Sequence, residues 1–284
     1  MGRSAGEVVD APAGAAEGGI NVGYNTKIDW CDTSWNPVTG CLHGCEYCYA
    51  RGIAKRFGGY SRKESHANYV SDDGTYELNE PLMKTDSTGR VRIAPYPFNF
   101  APTLHRYRLD QPKKWSEPRT IFVCSMADLF GEWVPHEWVY EVFKVCKETP
   151  QHRYLFLTKN PKRYSDLLMR SAPDNAWLGA SYTGVGLYER TSVVKHRFLS
   201  IEPLLGRIPP LVAHTIALWN DWVIIGAETG TRKDKVKPEK EWIDTIVRSC
   251  DAVGTPVFMK ESLREIMGDD FRQEFPWGGD ANER

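Results

Sequence analysis

The stretch "TGCLHGCEYCYAR", residues 39–51, places three cysteines within eight residues. Three thiols cannot close into disulfides among themselves without leaving one sulfur unpaired. Because Gly40 and Gly44 allow the chain to fold back, the C-x3-C-x2-C spacing lets three thiolates converge on one iron–sulfur cluster. A fourth iron then has no protein ligand and can bind a substrate or a cofactor. The three candidate ligands are Cys41, Cys45 and Cys48.

Two other interpretations of this cysteine loop stay open. Zinc sites built from four thiolates usually draw their ligands as two pairs, and here the nearest further thiol is Cys31, ten residues upstream of Cys41. The last interpretation is a loop of unligated thiols, which is disfavoured because exposed clustered thiolates are readily oxidised.

Composition limits the class of protein around the loop. The chain has 284 residues, 41% apolar and 12% aromatic, and can bury a sizeable core as two domains or as one large α/β barrel. Its net charge of −1 does not indicate a surface that attracts nucleic acid as a whole. A nucleic-acid partner would therefore have to bind a local basic segment. The sequence shows neither a bilayer-spanning run nor a signal peptide. We therefore expect a cytoplasmic protein without a membrane partner, in which clustered thiols are metal ligands more often than disulfides.

Six short apolar runs predict buried parallel strands. Each run is apolar on both faces and ends in small or polar residues. The runs are "TIFVCS" (120–125), "RYLFLTK" (153–159), "AWLGAS" (176–181), "HRFLSIE" (196–202), "DWVIIGAE" (221–228) and "TPVFMK" (255–260).

Helical patterns lie between several of these runs. Residues 135–148 and 238–254 each open with a proline and repeat apolar residues on one face, and residues 161–170 form a shorter case. Another helix, at about 49–57, follows the cysteine loop. Strands that alternate with helices predict a single α/β domain, a full or partial (β/α) barrel. A doubly wound open sheet is the alternative.

The strand ends of such a barrel face one common mouth, and there the sequence becomes polar. Glu202 in "SIEPLL" and Lys260 in "VFMKES" directly follow buried runs, so each needs a partner. Cys124 lies at the end of its run, as core or as cavity wall, whereas Cys146 and Cys250 fall on apolar helix faces and are interpreted as core thiols. The candidate catalytic residues are Cys124, Glu202 and Lys260. Further polar strand-end positions are Ser125, Asp128, Thr158, Lys159, Asn160, Ser181, Ser200 and Glu228.

The remaining segments complete the predicted organisation. Residues 1–25 are rich in Ala and Gly and predict a disordered tail, and residues 266–284 form a C-terminal tail. The barrel domain then covers residues 26–265. It contains a long insertion at about 58–119, of the kind that forms lids or substrate-recognition elements.

Two segments are locally basic. Segment 104–119 interleaves cations with aromatic side chains, and segment 231–240 is rich in Lys and Arg. Such strips suit phosphate contact and base stacking, which predicts a nucleic-acid partner. The alternative is that both are solvated loops.

The cysteine loop resembles the signature of the radical S-adenosylmethionine (AdoMet) superfamily, C-x3-C-x-aromatic-C, with Tyr47 as the aromatic residue. The wider context is similar to a phage-encoded and bacterial family of radical-AdoMet proteins of unknown function, over about residues 26–265. It resembles more distantly the spore photoproduct lyase group, which acts on thymine in DNA. The segments that carry the wider resemblance are "IDWCDTSWNPVTGCLHGCEYCYAR", "FVCSMADLFGEWVP", "LFLTKNPKRY", "LSIEPLLG" and "VIIGAETG".

The resemblance implies a [4Fe–4S] cluster held by the three cysteines, with AdoMet on the open iron. It also implies an external electron donor, such as flavodoxin or ferredoxin, and a 5′-deoxyadenosyl radical as the reactive species. Tyr47 would lie against the adenine of AdoMet. The candidates for further contacts with AdoMet are Ser125, Asp128, Ser181 and Glu228.

For the substrate we expect DNA or a nucleotide. The leading hypothesis is the rearrangement, or isomerisation, of a thymine-derived base in phage DNA, within a hypermodification pathway that protects the viral genome from restriction in the host cytoplasm. One alternative is a DNA lesion repair lyase, in which Cys124 returns a hydrogen atom to the substrate. The other is a non-catalytic zinc or iron–sulfur protein that binds nucleic acid.

Overall fold

The structure is a computed structural model that describes residues 26, 28–64, 69–72, 74–168, 172–190, 195–230 and 232–278. The predicted tail 1–25 lies outside the described residues, as does the end of the predicted C-terminal tail, 279–284. Strands β1 to β13 are, in chain order, Thr33–Trp35, Val38–Thr39, Tyr69–Asp72, Thr75–Leu78, Met83–Thr85, Val91–Ile93, Thr103–His105, Thr120–Val123, Arg153–Thr158, Ala176–Tyr182, Arg197–Ile201, Val223–Ile225 and Val257–Met259.

The helices pack around these strands. Short 3₁₀ turns accompany them at Arg62–Glu64, Arg106–Arg108, Pro112–Lys114, Glu261–Leu263 and Gly268–Asp270. Helices α1 to α6 are Tyr49–Phe57, His136–Glu148, Arg163–Leu168, Pro210–Trp219, Lys240–Asp251 and Arg264–Met267.

The main sheet has seven strands in the order β1-β8-β9-β10-β11-β12-β13, and every neighbouring pair is parallel. This order follows the chain without reversal, whereas a doubly wound sheet reverses direction at a switch point. The doubly wound alternative is therefore wrong. Within the described part of the chain, β1 and β13 are the two edges of the sheet, so the predicted barrel is confirmed in its partial form, as a curled half-barrel.

All six predicted strands are present. Their first residues differ from the predicted ones by up to two positions, and their last residues differ by one to three. The largest difference is in "DWVIIGAE", where only Val223–Ile225 is a strand and the polar end "GAE" belongs to the loop that follows. β1 is not predicted by the sequence, because three residues show no periodicity. Helix α4 is also unpredicted, because its segment is apolar on most sides and so shows no single apolar face. In the structure only Ala213, Ile216 and Ala217 are buried.

Alternate residues of each strand face opposite sides of the sheet. On β8, Ile121 and Val123 point outward into a core shared with α2, whereas Phe122 points inward. The inward cluster is largely aromatic and includes Phe198 and Trp222, both fully buried. It fills the interior of the half-barrel, beneath the carboxyl ends of the strands.

The core thiols are placed as predicted. Cys146 on α2 and Cys250 on α5 are fully buried against the outer face of the sheet. Most of the apolar face predicted for residues 135–148 is buried as well, which confirms the helical pattern there.

The predicted insertion is more structured than its sequence indicates. It forms a second sheet of order β2-β7-β4-β3 and a separate hairpin of β5 with β6. β2, which directly precedes the cysteine loop, pairs with β7 at the end of this segment, where Val38 lies opposite Leu104. The insertion is thus attached to the start of the loop, and its role as a lid or recognition element stays a prediction.

Truncation of the inner aromatic cluster tests the packing of the half-barrel. We expect Phe198→Ala to lower the free energy of unfolding by about 3–5 kcal/mol, because the ring is fully buried and the surrounding side chains cannot collapse into its space. Urea denaturation measures this loss. Leu187→Ala is the control, since Leu187 is 92% exposed and its loss should change stability by less than about 0.5 kcal/mol. Equal losses for both variants would contradict the packed interior.

Candidate functional site

A cavity of about 240 Å³ opens at the carboxyl ends of the parallel strands. Its wall combines the cysteine loop with the residues that end or follow β8 to β13, and inward-facing Trp30 and Phe122 contribute to its lining. Every site residue predicted from the sequence lines this cavity: Cys41, Cys45, Tyr47, Cys48, Cys124, Ser125, Asp128, Ser181, Glu202, Glu228 and Lys260.

Two glycines shape the start of the cysteine loop. Gly40 and Gly44 have φ values of 91° and 71°, in the left-handed region that glycine tolerates best. A Cβ on Gly40 would lie 2.2 Å from the carbonyl oxygen of Ala101 in the insertion. The Gly40 amide donates to the Met126 carbonyl at 2.9 Å, so the loop starts between the insertion and the segment after β8.

The three thiols of the loop are partly buried. Cys48 caps helix α1, and its Sγ accepts a hydrogen bond from the Arg51 amide at 3.4 Å. Burial raises the pKa of Cys41 to about 11, and Asp128, Cys48 and Cys45 act in the same direction. A thiolate at Cys41 therefore needs a neighbouring positive charge, which a bound metal centre would provide.

Zinc and a multi-iron cluster place different demands on the three thiols. Zinc needs its ligands within about 2.3 Å of one ion, and among the described residues no three His, Cys, Asp or Glu side chains are arranged to hold a single metal ion. Cys31, the fourth ligand of the zinc interpretation, is buried outside the cavity lining and donates its thiol to the Ile28 carbonyl at 3.8 Å. A cluster instead distributes its three thiolates over different irons.

Asp128 fastens the cysteine loop to the sheet. Its Oδ2 accepts from His43 Nε2 at 2.7 Å and from the Lys159 amide at 2.9 Å. Its Oδ1 accepts from the Thr158 hydroxyl at 2.7 Å and from the Phe130 amide at 3.0 Å. Burial opposes the charge, but these donors and the His43 ring hold the pKa of Asp128 below its usual range. A contact between Asp128 and AdoMet, as predicted, would have to share carboxylate oxygens that already accept two hydrogen bonds each from the chain.

Glu228 forms a second connection to the loop. Both of its oxygens accept from the Arg232 guanidinium at 2.6 Å, and its side chain is 1% exposed. The hydrogen bonds from Arg232 lower the pKa of Glu228. Arg232 also lies 3.9 Å from a carboxylate oxygen of Glu46, inside the loop. Glu228, predicted as an AdoMet contact, thus connects the end of β12 to the cysteine loop.

The other residues predicted to contact AdoMet differ in whether their side chains already have partners within the chain. The Ser125 hydroxyl donates to the side chain of Asn36 at 3.2 Å. Ser181 lines the cavity, and within the described residues its hydroxyl has no hydrogen-bond partner, so it is open to a ligand. The Lys159 ammonium lies 5.9 Å from the centroid of the Tyr47 ring.

Glu202 and Lys260 are each other's partners, as their positions after buried strands require. Lys260 Nζ donates to Glu202 Oε1 at 2.5 Å, and both side chains are largely buried. Gly226 makes room for them, since a Cβ there would lie 3.0 Å from Lys260 and 3.2 Å from Glu202. Their catalytic role stays a prediction.

Several residues of the site have no signal in the sequence pattern. His43 and Arg232 secure the loop, and the Tyr49 hydroxyl donates to the Ser125 carbonyl at 2.8 Å. His43 was detectable only as a titratable residue between two cysteines. Nothing in the sequence pairs it with Asp128, which lies 85 positions away.

Most cations of the segment 104–119 bind the protein itself, and the prediction that this segment contacts nucleic acid stays a prediction. Arg106 pairs with Glu77 at 2.8 Å and with Glu141, which leaves little charge for phosphate. Arg108 and Arg119 are buried, and Lys113 pairs with two carboxylates. In 231–240, Arg232 and Lys240 are likewise paired.

This α/β half-barrel with a three-cysteine cavity can now be placed among known proteins. The chain belongs to the family described as "Protein of unknown function (DUF5131)", whose model matches residues 25–267. No curated protein matches it. Within the described residues, no helix is both long and apolar enough to cross a membrane.

Solved structures of spore photoproduct lyase are similar in fold. A cysteine-to-serine variant has a TM-score of 0.49 and 12% identity, over 84% of this chain and 80% of that chain. The complex with dinucleoside spore photoproduct has a TM-score of 0.48 and 12% identity, over 84% and 79%. A double variant with bound AdoMet and dinucleoside spore photoproduct has a TM-score of 0.49 and 11% identity, over 83% and 78%.

Removal of the Asp128 carboxylate tests its role in holding the loop. We expect Asp128→Ala to lower the free energy of unfolding by about 3 kcal/mol or more, because four donors, two of them fully buried, lose their acceptor. Chemical denaturation of the metal-free protein measures the loss. Asp110→Ala removes an exposed carboxylate and should change stability by less than about 0.5 kcal/mol. If the two variants are equally stable, Asp128 does not anchor the loop.

Proposed function

We propose that this protein is a radical-AdoMet enzyme. Cys41, Cys45 and Cys48 hold a [4Fe–4S] cluster, and AdoMet binds the iron that lacks a protein ligand. The observation that carries the proposal is that the three thiols of a C-x3-C-x-aromatic-C loop line the same cavity as the polar strand ends of a parallel half-barrel. When bound and reduced by one electron, this cofactor pair supplies a 5′-deoxyadenosyl radical that abstracts hydrogen from an unactivated C–H bond.

The chain's own residues position and protect this chemistry. The His43–Asp128 hydrogen bond holds the loop against the strand ends, and Arg232, bound to Glu228, lies 3.9 Å from Glu46 of the loop. The inward aromatic cluster supplies apolar side chains at the base of the cavity. Ser181 offers a hydroxyl to the bound ligand, and Tyr47 offers a ring face.

The Glu202–Lys260 pair supports a nucleobase as the substrate. Glu202 presents hydrogen-bond acceptors and Lys260 Nζ presents donors, side by side on the cavity wall. A thymine-type ring carries an N–H between two carbonyls, which this pair complements. A base in duplex DNA would have to be extruded to reach them. We therefore infer a thymine-derived base as the substrate. The sequence resemblance to a phage-encoded family supports the further proposal that this base is rearranged in a pathway that modifies phage DNA and protects it from restriction.

Removal of one cluster ligand tests the proposed chemistry. Anaerobically reconstituted protein, given dithionite and AdoMet, should release 5′-deoxyadenosine, and Cys45→Ala should release none. Cys31→Ala is the matched control and should retain cleavage, since Cys31 lies outside the cavity lining. Zinc in place of iron, or a fully loaded protein that leaves AdoMet intact, would contradict the enzyme function.

Cys124 favours a second candidate function, lesion repair. It is buried, lines the cavity, and has a φ of 59°, unusual for a residue other than glycine. Burial raises the pKa of Cys124 to about 12, so the thiol keeps the S–H bond that a hydrogen-atom donor needs.

Mass spectrometry of nucleosides separates the two candidates. Phage DNA made with the active gene should contain a modified thymidine that is absent without the gene, and Cys124→Ala should leave that product in place. Unchanged nucleosides would count against base modification. Loss of product, or a new side product, in Cys124→Ala would instead favour the repair-type reaction with a cysteine hydrogen donor.

A further inference from the structure

Helix α4 turns large apolar side chains toward solvent. Ala213, Ile216 and Ala217 are buried against the outer face of the sheet, whereas Leu211 is 78% exposed and Leu218 is 56% exposed. The two leucines are seven residues apart, which is almost two turns, so they lie on one stripe of the helix. At 100° per residue this stripe is opposite the buried face. A surface helix normally carries polar residues in that position.

The helix also carries no Asp, Glu, Lys or Arg. Its sequence is "PLVAHTIALW", in which His214 and Thr215 are the polar residues and lie between the two leucines. Helices α2 and α5, which cover the same outer face of the sheet, expose several charged side chains. The outward face of α4 therefore has the low charge and high apolar content found at the centre of protein interfaces.

A second apolar strip runs beside α4. Val185 lies near the start of the helix, since a Cβ on Gly206 would be 3.1 Å from its side chain. At the other end, the Arg190 guanidinium lies 3.6 Å from the centroid of the Trp219 ring. Between these two contacts Leu187 is 92% exposed. The α4 surface, as the two strips are called below, consists of Val185, Leu187, Leu211, Leu218 and Trp219.

We propose that the α4 surface binds the same surface of a second copy of this chain and forms a two-fold symmetric dimer. Two-fold dimers join identical patches, so a charged patch would meet its own charge, whereas α4 has none to repel its copy. The same lack of charge gives no means of selecting a partner of opposite sign. The cysteine cavity is lined by other elements and stays open in such a dimer, which holds whatever reaction the cavity supports.

The residue order of α4 fits an antiparallel pair of helices. When the two-fold axis passes through the midpoint of the helix, Leu211 of each copy lies opposite Leu218 of the other. Pro210, which is exposed on one flank, then meets Trp219 on the facing flank of the other copy. The two polar residues at the midpoint face each other across the axis. Apolar side chains thus meet apolar ones, and polar side chains meet polar ones.

Sedimentation velocity of the purified full chain tests the dimer. We expect wild type at twice the chain mass of 32.3 kDa, with dissociation on dilution. Leu211→Lys with Leu218→Lys should raise the dissociation constant about a hundredfold or more, because ammonium groups from both copies would meet in one interface. Val91→Lys with Tyr140→Lys makes the same charge change at exposed apolar positions of β6 and α2 and should leave the dimer intact.

Circular dichroism of the variants checks that each remains folded, as expected for changes at exposed positions. A wild type that stays monomeric at every concentration would overturn the proposal. So would a dimer that Leu211→Lys with Leu218→Lys leaves unchanged, since another surface would then hold it together.

Disulfide trapping tests the antiparallel arrangement. Under a mild oxidant, Leu211→Cys with Leu218→Cys should give a covalent dimer on a denaturing gel, above the level that the native thiols give in wild type. Leu211→Cys alone should not exceed that level, because the two copies of position 211 would lie about 10 Å apart along the helix axis, beyond the reach of a disulfide. Trapping by Leu211→Cys alone, or none by the double variant, would contradict this arrangement.

Discussion

The hydrogen bond between His43 and Asp128 joins the two halves of the site. The cysteine loop is short, bends at glycines, and has few apolar contacts of its own, so its position depends on the strand ends beneath it. Asp128 fixes that position by accepting four hydrogen bonds on its two oxygens. Three of the donors lie in β9 or in the residues that follow β8 and β9. The orientation of the thiols toward the cavity follows from this buried carboxylate, together with the Glu228–Arg232 pair on the other side of the loop.

The half-barrel makes the arrangement possible because its interior is unevenly filled. Large aromatic side chains such as Phe198 and Trp222 occupy the interior, and smaller polar side chains follow the strands. Among the described residues of the cavity, Asp128 and Glu228 already have partners within the chain, so few charged groups there are left for a ligand. The Ser181 hydroxyl, the ring of Tyr47 and the Glu202–Lys260 pair are the groups best placed to meet one.

The sequence predicted the membership of the cavity well, because parallel strand ends converge and because three clustered cysteines in one loop must act together. It did not predict how these residues are used. Asp128 and Glu228 look like free carboxylates in the sequence, and only their contacts with His43 and Arg232, fixed by the fold, show them to be engaged. Arg106 likewise looks like a free cation in the sequence, since its partners Glu77 and Glu141 are distant along the chain. Short elements such as β1 and the strands of the insertion have too few residues for a periodic pattern to reveal them.

The central claim is that the three thiols hold a cluster with one open iron. Metal analysis combined with electron paramagnetic resonance of the reduced protein, with and without AdoMet, tests it most directly. The claim predicts about four irons per chain and a reduced-cluster signal whose g values shift when AdoMet is added. Zinc in place of iron, or a cluster signal that AdoMet leaves unchanged, would contradict it.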